Sequence, residues 1–383
     1  MKAEIKNLRK AANRIRKASK SGEKIVLYGD ADLDGISSVI ILKESIKTLG
    51  GNVAAVYFPD REKEGYGISE KALNNLKKHA PALFVALDCG IGNFKEIKIA
   101  NKLGFEVIVV DHHEILEGLP EASIIIDPKQ KGDKYHFKYF ATVGLAFKLS
   151  EAVFGKEMPE SLRKNFLELT ALATIADMMP RVSENDIMIA EGLNYVRSSW
   201  RPGIKALFGL KQFKSLSFSD QISKVNSLLN VRDVKDGMPA GFRLLTSTSE
   251  KEAKKLAERL FKKGIDRREK IGEILKEIEA IISAKSEEPV IFEGSPKWDL
   301  ALIGVVASLL VKRYGKPAFL AKTLKGESQG GIRAPSGCNV VEAMRGYSKH
   351  LITYGGHPQA AGFRIKNENL EGFKKHLIKY FSK

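Results

Sequence analysis

Residues 23–35, EKIVLYGDADLDG, decide the fold. Ile25, Val26, Leu27 and Tyr28 run without a polar break, the pattern of a strand buried on both faces of a parallel sheet. Three carboxylates at spacing two, Asp30, Asp32 and Asp34, follow at once. A helical stretch is predicted next, from Ser37 to about Leu49. Outward from this unit the alternation repeats. GNVAAVYFPD reads as a strand and SEKALNNLKKHA as a helix with Ser69 as its N-cap. ALFVALDCG is a strand, NFKEIKIANKLG a helix ending at Gly104, and FEVIVVDHH and ASIIID two more strands. Short connections between alternating strands and helices predict an α/β fold with a doubly wound parallel sheet.

Beyond this half, residues from about Thr142 to Ile175 read as mostly helical, and ENDIMIAEGLNYVRSS as a further helix. A long charged helix is predicted from about Ser249 to Lys285. The composition changes at SAKSEEP, so a boundary is placed near Pro289. Strand-like PVIFEG, helical IGVVASLLVKRYG and strand-like PAFLAKT follow, and then two glycine clusters, GGIRAPSG and YGGHPQAAGF. The expected organisation is a parallel-sheet domain over 1–182, a helical connector over 183–288 and a smaller α/β domain over 289–383.

Several classes are excluded. No run approaches the ~18–20 apolar residues of a membrane span. The basic start, MKAEIKNLRKAANRIRKASK, lacks the apolar core of a secretory signal. Two cysteines, Cys89 and Cys338, lie far apart without CxxC spacing, which argues against a disulfide framework or zinc site and suits a reducing, cytoplasmic compartment. Lys plus Arg outnumber Asp plus Glu by 63 to 46, a net charge of +17. Such a surplus attracts polyanions; a Lys-rich solvated surface accounts for it equally well.

The carboxylates carry the chemistry. In a parallel open sheet the carboxyl ends of the strands share one edge, where ligands bind. Asp30, Asp32 and Asp34 follow one strand, Asp88 ends another, and Asp111, His112 and His113 end a third. Acids so crowded repel one another, and divalent cations remove the conflict. Oxygen-rich ligands suit Mg²⁺ or Mn²⁺, and an imidazole favours Mn²⁺; two such ions serve in-line phosphoryl displacement. DxDxDG alone resembles an EF-hand loop, but that loop needs Glu at its twelfth position, and here Ile41 stands there. A strand-end Asp is often only a cap or turn residue. Recurrence at three strand ends is what favours a metal centre.

GDADLDG, ALDCG, VVDHH and ATIADMMP resemble, in order and spacing, the four motifs of the DHH phosphoesterases, and the match is nearest the RecJ-like nucleases. PDREKEGYGIS is similar to a RecJ segment. IGVVASLLVKRYGKP and GGHPQAAGF resemble the DHH-associated C-terminal domain. The resemblance covers roughly residues 22–200 and 289–365. It implies that Asp30 and Asp32 hold one metal ion, that Asp34, His112 and Asp177 hold a second, and that Asp88 bridges them. It implies further that His113 acts at the scissile phosphate and that Asp111 steadies the loop and a histidine tautomer. Asp177 follows from the family motif alone.

In the C-terminal part, Arg333 stands among glycines in QGGIRAPSG, and Gly355, Gly356 and His357 form a second cluster. Glycine admits close approach of an anion and Arg binds phosphate bidentately; tight turns are the structural alternative. The resemblance makes these segments nucleic-acid-binding and sets the active site in a cleft between the domains. Where RecJ-like exonucleases carry Ser-x-Arg-Ser, this chain has Gly331 and Ala334, with Ser336 nearby. LNVRDVKDG stands in place of the family's NAxGR segment. The length leaves no room for the extra OB-fold of long bacterial forms, and the shorter form is similar to archaeal RecJ-like proteins, some of which associate with the GINS complex.

The implied activity is metal-dependent hydrolysis of single-stranded DNA or RNA to 5′-mononucleotides. Other expectations are a phosphodiesterase for very short RNA or cyclic dinucleotides, a pyrophosphatase, and a replisome scaffold without activity. The retained acidic set argues against the scaffold. Tyr66 serves as a base-stacking residue or an ordinary loop aromatic.

Overall fold

The computed structural model describes residues 4–61, 63–115, 118–284 and 288–382, which divide into two compact units, 1–262 and 263–383. The first begins with α1 (Leu8–Lys20), β1 (Lys24–Gly29), α2 (Leu33–Thr48), β2 (Asn52–Tyr57), α3 (Glu70–Leu76), β3 (Ala82–Leu87), α4 (Phe94–Lys102), β4 (Phe105–Val110) and β5 (Ile124–Ile126). The strands form a parallel sheet in the order β2-β1-β3-β4-β5. Alternate residues serve its two faces. Ile25, Leu27, Leu83, Val85, Ile108 and Val110 join the core shared with α1 and α2, whereas Val26, Tyr28, Phe84, Ala86, Val107 and Val109 join the core under α3 and α4. Burial on both faces is why these strands read as continuous apolar runs.

The chain leaves β1 for β2 on one side and returns to β3 on the other, so the strand order reverses between β1 and β3. Loops at that point diverge and leave a crevice at the carboxyl ends. Asp30 and Asp88 follow these two strands directly: the Asp30 N–H donates to the Leu87 carbonyl at 3.2 Å and the Asp88 N–H to the Val110 carbonyl at 3.0 Å.

Helix α2 starts at Leu33, four residues earlier than the periodicity suggests. The Asp32 carboxylate is its N-cap, accepting from the Asp34 and Gly35 N–H groups at 3.1 Å each. Ser69 caps α3 as expected, accepting from the Ala72 N–H at 3.0 Å. Gly35 lets α2 lie against the first motif, because a Cβ there would come within 2.4 Å of the Asp30 carbonyl oxygen. Gly35→Ala is expected to cost about 1–3 kcal/mol by overpacking and to weaken Mn²⁺ binding through the shifted Asp34. Urea denaturation and calorimetric titration with MnCl₂ measure the two effects, and an unchanged affinity would refute the coupling.

Next come α5 (Thr142–Phe154), α6 (Glu160–Ala176), α7 (Ser183–Val196), α8 (Pro202–Phe208), α9 (Phe218–Leu229), the two-residue strands β6 (Val234–Lys235) and β7 (Met238–Pro239), α10 (Ala240–Leu245) and α11 (Glu250–Ala284). The region read as a separate connector divides between the units. Ile204, Leu207, Ile222, Val225 and Leu244 belong to the first core, as do Ala253, Ala257 and Leu260 of α11. Ile274 and Ile278, farther along α11, pack in the second unit. A stretch rich in helices is therefore not a stretch without a core.

The second unit continues with β8 (Ile291–Ser295), α12 (Leu300–Tyr314), β9 (Ala318–Thr323), β10 (Glu327–Arg333), α13 (Val340–Arg345), β11 (Leu351–His357), β12 (Ala360–Lys366) and α14 (Leu370–Phe381), with sheet order β11-β12-β10-β9-β8. Both glycine clusters lie in strands here and not in turns alone. Gly331, Gly362 and Gly355 stand in one row across β10, β12 and β11. Among the described residues no helix is long and apolar enough to cross a membrane.

Candidate metal centre

Two donor sets meet at the carboxyl edge of the first sheet. Asp30, Asp32 and Asp88 offer ligand atoms that all lie within 4.8 Å of one another, and so do Asp34, His112 and Asp177. A third grouping, Asp88, His112 and His113, joins them. The first-unit residues singled out in the sequence are thus brought together.

Backbone geometry aims each carboxylate. Asp88 stands in the left-handed region at φ +63°, and the Thr142 hydroxyl donates to its Oδ1 at 3.0 Å. Asp34 is held by the start of α5, accepting from the Thr142 N–H at 2.8 Å and the Val143 N–H at 2.7 Å. Helix N-termini stabilise carboxylates in this way. Asp34 and Asp88 are both buried. Burial, and then the nearby Asp177 for Asp34 and Asp34 for Asp88, push their pKa values well above the usual range.

His112 Nε2 lies 3.5 Å from Asp88 Oδ1, 3.5 Å from Asp177 Oδ2 and 3.9 Å from Asp34 Oδ2. Burial, and then His113, hold its pKa down to about 4, so the imidazole is neutral at pH 7 and has a lone pair to give. Asp177 caps the end of α6, and its buried Oδ2 has no hydrogen-bond partner. Burial and the neighbouring Asp32 raise the Asp177 pKa to about 6. An orphaned carboxylate oxygen beside a neutral imidazole and crowded acids is a donor set that fits divalent cations.

Asp111 accepts from three backbone N–H groups, those of Ile91, His112 and His113, and its Oδ1 lies 2.7 Å from His113 Nδ1. Burial lowers the His113 pKa, but this hydrogen bond together with the charges of Asp111, Asp177 and Asp34 outweighs it, and the net shift is upward. His113 remains part-exposed.

Sequence reasoning gives no role to Arg61 or Asn230 and weighs Tyr66 only as a base-stacking residue or an ordinary loop aromatic, yet these residues brace the centre. Arg61 Nε donates to Asp30 Oδ1 at 2.7 Å and its Nη2 to Asp32 Oδ2 at 3.0 Å. The Tyr66 hydroxyl donates to the Asp88 carbonyl at 3.0 Å and lies 3.1 Å from His113 Nδ1. Both belong to PDREKEGYGIS, and an Arg just past a strand end was the available signal. Asn230, in the LNVRDVKDG segment, accepts from the Leu33 N–H at 2.9 Å, and Arg232 pairs with Asp60 at 2.7 Å.

In the second unit, Arg333 and His357 both stand opposite Ala360 in the sheet register, one on each side of it. Arg333 packs against Gly304 and has no carboxylate partner among the described residues; its Nη1 donates to the Ile332 carbonyl at 2.8 Å. Gly355 and Gly356 lie on the edge strand β11, with Gly356 at φ +137°. The side chain of His357 lies outside the described residues.

The comparisons with known proteins fit this geometry. Residues 24–174 match the DHH family, N-terminal domain, and residues 287–383 match the DHHA1 domain. The chain carries a DHH domain and a DHHA1 domain. It is 34% identical to the single-stranded-DNA-specific exonuclease RecJ of Bacillus subtilis (strain 168) over 380 residues, 98% of this chain and 48% of that protein. A crystal structure of exonuclease RecJ bound to manganese superimposes with a TM-score of 0.86 at 27% identity, covering 99% of this chain and 95% of the other. The RecJ of Thermus thermophilus in complex with Mn²⁺ gives 0.83 at 26% identity, covering 100% of this chain and 55% of that one. The chain spans about half the length of the Bacillus relative.

Proposed function

We propose that this chain is a metal-dependent nuclease that hydrolyses phosphodiester bonds in single-stranded DNA or RNA, releasing 5′-mononucleotides. The observation that carries this reading is the pair of neighbouring donor sets, with Asp88 of one set 3.5 Å from His112 of the other. It is supported by the likeness to proteins named as single-stranded-DNA-specific exonucleases and to RecJ structures that hold manganese.

In this reading Asp30, Asp32 and Asp88 hold one divalent cation, and Asp34, His112, Asp177 and the shared Asp88 hold the other, with Mn²⁺ preferred and Mg²⁺ accepted. The ions, when bound, polarise phosphoryl oxygens and make water a competent nucleophile near neutral pH. The rest is the work of side chains. Thr142 and the α5 N-terminus fix Asp88 and Asp34. Asp111 orients His113, which donates a hydrogen bond to the scissile phosphate as charge develops. The Tyr66 hydroxyl, 3.1 Å from His113 Nδ1, further restrains the ring. In the C-terminal unit Arg333, with Gly355, Gly356 and His357, contacts the sugar–phosphate backbone. The two cysteines far apart without CxxC spacing support a reducing, cytoplasmic compartment. Association with a replication partner such as the GINS complex rests on the resemblance to short archaeal forms, and co-purification tests it.

End-labelled single strands, DNA and RNA in parallel and of two to thirty nucleotides, incubated with Mn²⁺, Mg²⁺ or EDTA, test the activity. Laddering with either metal and none in EDTA is the expected result, and the labelled end reports polarity. Cleavage confined to two to five nucleotides would shift the reading to a short-oligonucleotide phosphodiesterase. No cleavage at any length would refute it.

A further inference from the structure

A groove of about 500 Å³ opens in the first unit beside the metal centre. Ile175 and Ala176 on its wall directly precede Asp177. At its α9 side Asn230 holds the Leu33 N–H, next to Asp32. Ser219, Ser223, Ser227 and Asn230 line it at helical spacings of three or four, and all four are exposed. This hydroxyl and amide stripe runs for about 16 Å at 1.5 Å per residue. Asn226 lies on the same face, 6% exposed. It gives its amide Nδ2 to the Leu172 carbonyl at 2.9 Å, while its Oδ1 has no hydrogen-bond partner. Arg181, exposed on the groove, has no carboxylate partner among the described residues. The buried Asn226 amide oxygen is thus an acceptor left open on the groove wall, where a sugar hydroxyl or a bridging water of a bound strand supplies the donor it lacks.

We propose that this groove is the track of the nucleic-acid strand next to the scissile bond, with the α9 stripe and Arg181 holding its sugar–phosphate backbone. The inference rests on the nuclease reading and names where the strand runs. Hydroxyl donors and one cation suit phosphate and sugar oxygens, whichever base is attached. At the roughly 3.4 Å rise of a stacked strand, the stripe serves no more than about five nucleotides. A negative charge on the stripe would meet phosphates, and a positive one would attract them.

Fluorescence anisotropy of dye-labelled oligothymidylates and oligouridylates of two, five and ten nucleotides, with the full chain in EDTA and again in calcium, measures the track. Wild type is expected to bind ten nucleotides more tightly than two. Ser223→Glu and Ser227→Glu should each shrink that gain about fivefold near 50 mM salt, and Ser227→Lys should enlarge it. Arg181→Gln should reduce the salt slope by about 0.7. Lys17→Gln, on α1 and outside the groove, makes the same net-charge change as the Glu variants and should leave the gain as it is. Circular-dichroism melts confirm that each variant is folded. A wild-type gain untouched by either Glu variant, or lowered equally by Lys17→Gln, overturns the track. Failure of the nuclease reading shows differently, as wild type that binds with length dependence yet cuts nothing in Mn²⁺. A gain seen with only one of the two oligonucleotides assigns the track to DNA or to RNA.

Discussion

Asp88→Asn is expected to lower manganese-dependent cleavage on the order of a thousandfold or more, while leaving the chain folded and, in EDTA, at least as stable as wild type. The Asp88 carboxylate belongs to one donor set and lies 3.5 Å from His112 of the other, and an amide offers one neutral oxygen where two cations need an anion. Asn is a better probe than Ala. Asp88 sits at φ +63°, a conformation Asn tolerates far better than residues without a short polar side chain, and the Thr142 hydroxyl keeps its acceptor. The stability claim follows from repulsion. Asp88 is buried beside Asp34, Asp32, Asp111 and Asp177, and its folded-state pKa is raised. Its stabilising contribution is therefore present below the unfolded pKa of about 3.8 and lost as pH rises through the folded value. The advantage of Asn in EDTA should grow from pH 5 to pH 8. Melting temperatures at both pH values, with EDTA and with MnCl₂, check this. Wild type should gain stability from the metal and Asp88→Asn should gain little. A variant stabilised by Mn²⁺ as strongly as wild type would remove Asp88 from the centre.

Arg201→Met should be the most damaging substitution away from the site, costing about 3–5 kcal/mol at pH 8. Arg201 is 1% exposed. It gives a bidentate pair of hydrogen bonds to Glu44 at 2.9 and 2.7 Å and a third to the Leu245 carbonyl at 3.1 Å. Its Nε is 3.1 Å from Glu168 Oε1, yet neither atom has a hydrogen bond, so that contact is misaligned. Burial raises the Glu168 pKa to about 7 against the lowering effect of Arg201. The Glu168 contribution is thus fully present below pH 4.5, its ordinary value, and is lost as pH rises through 7. Removing Arg201 strands an ionised Glu168 at pH 8 and a largely protonated one at pH 5, so the cost should be smaller at pH 5. Glu168→Gln should remove much of that pH dependence. Urea denaturation of the wild type and both variants at the two pH values decides it. An equal cost at pH 5 and pH 8 would show that Glu168 is not the group responsible.

The placement of the candidate metal ligands was largely legible in the sequence because it depends on local rules. Strands buried on both faces are written as apolar runs, and the residue after such a run stands at the carboxyl edge whatever lies elsewhere. Asp30, Asp88 and Asp111 obey this rule, and His112 and His113 follow from their neighbour. Asp177 does not, since it ends a helix and reaches the centre only because α6 packs against α5 and α2. The family motif located it; no spacing could. The strand role of the glycine clusters was less legible: in the sequence they read as phosphate contacts with tight turns as the alternative, and in rows such as Gly331, Gly362 and Gly355 they also form part of strands whose pairing lies up to 31 residues away.

The sequence by itself determined the α/β alternation, the edge at which the acids gather and the kind of ion that such acids bind. Only the tertiary structure decided what steadies them: the α5 N-terminus on Asp34, 108 residues distant, Asn230 on Leu33, 197 residues distant, Arg61 across Asp30 and Asp32, and Glu44 and Glu168 facing the buried Arg201. Periodicity records what a residue does to neighbours within a turn or two of chain. A hydrogen bond made across a hundred residues leaves no such trace, because its geometry exists only once the core between the two segments has closed.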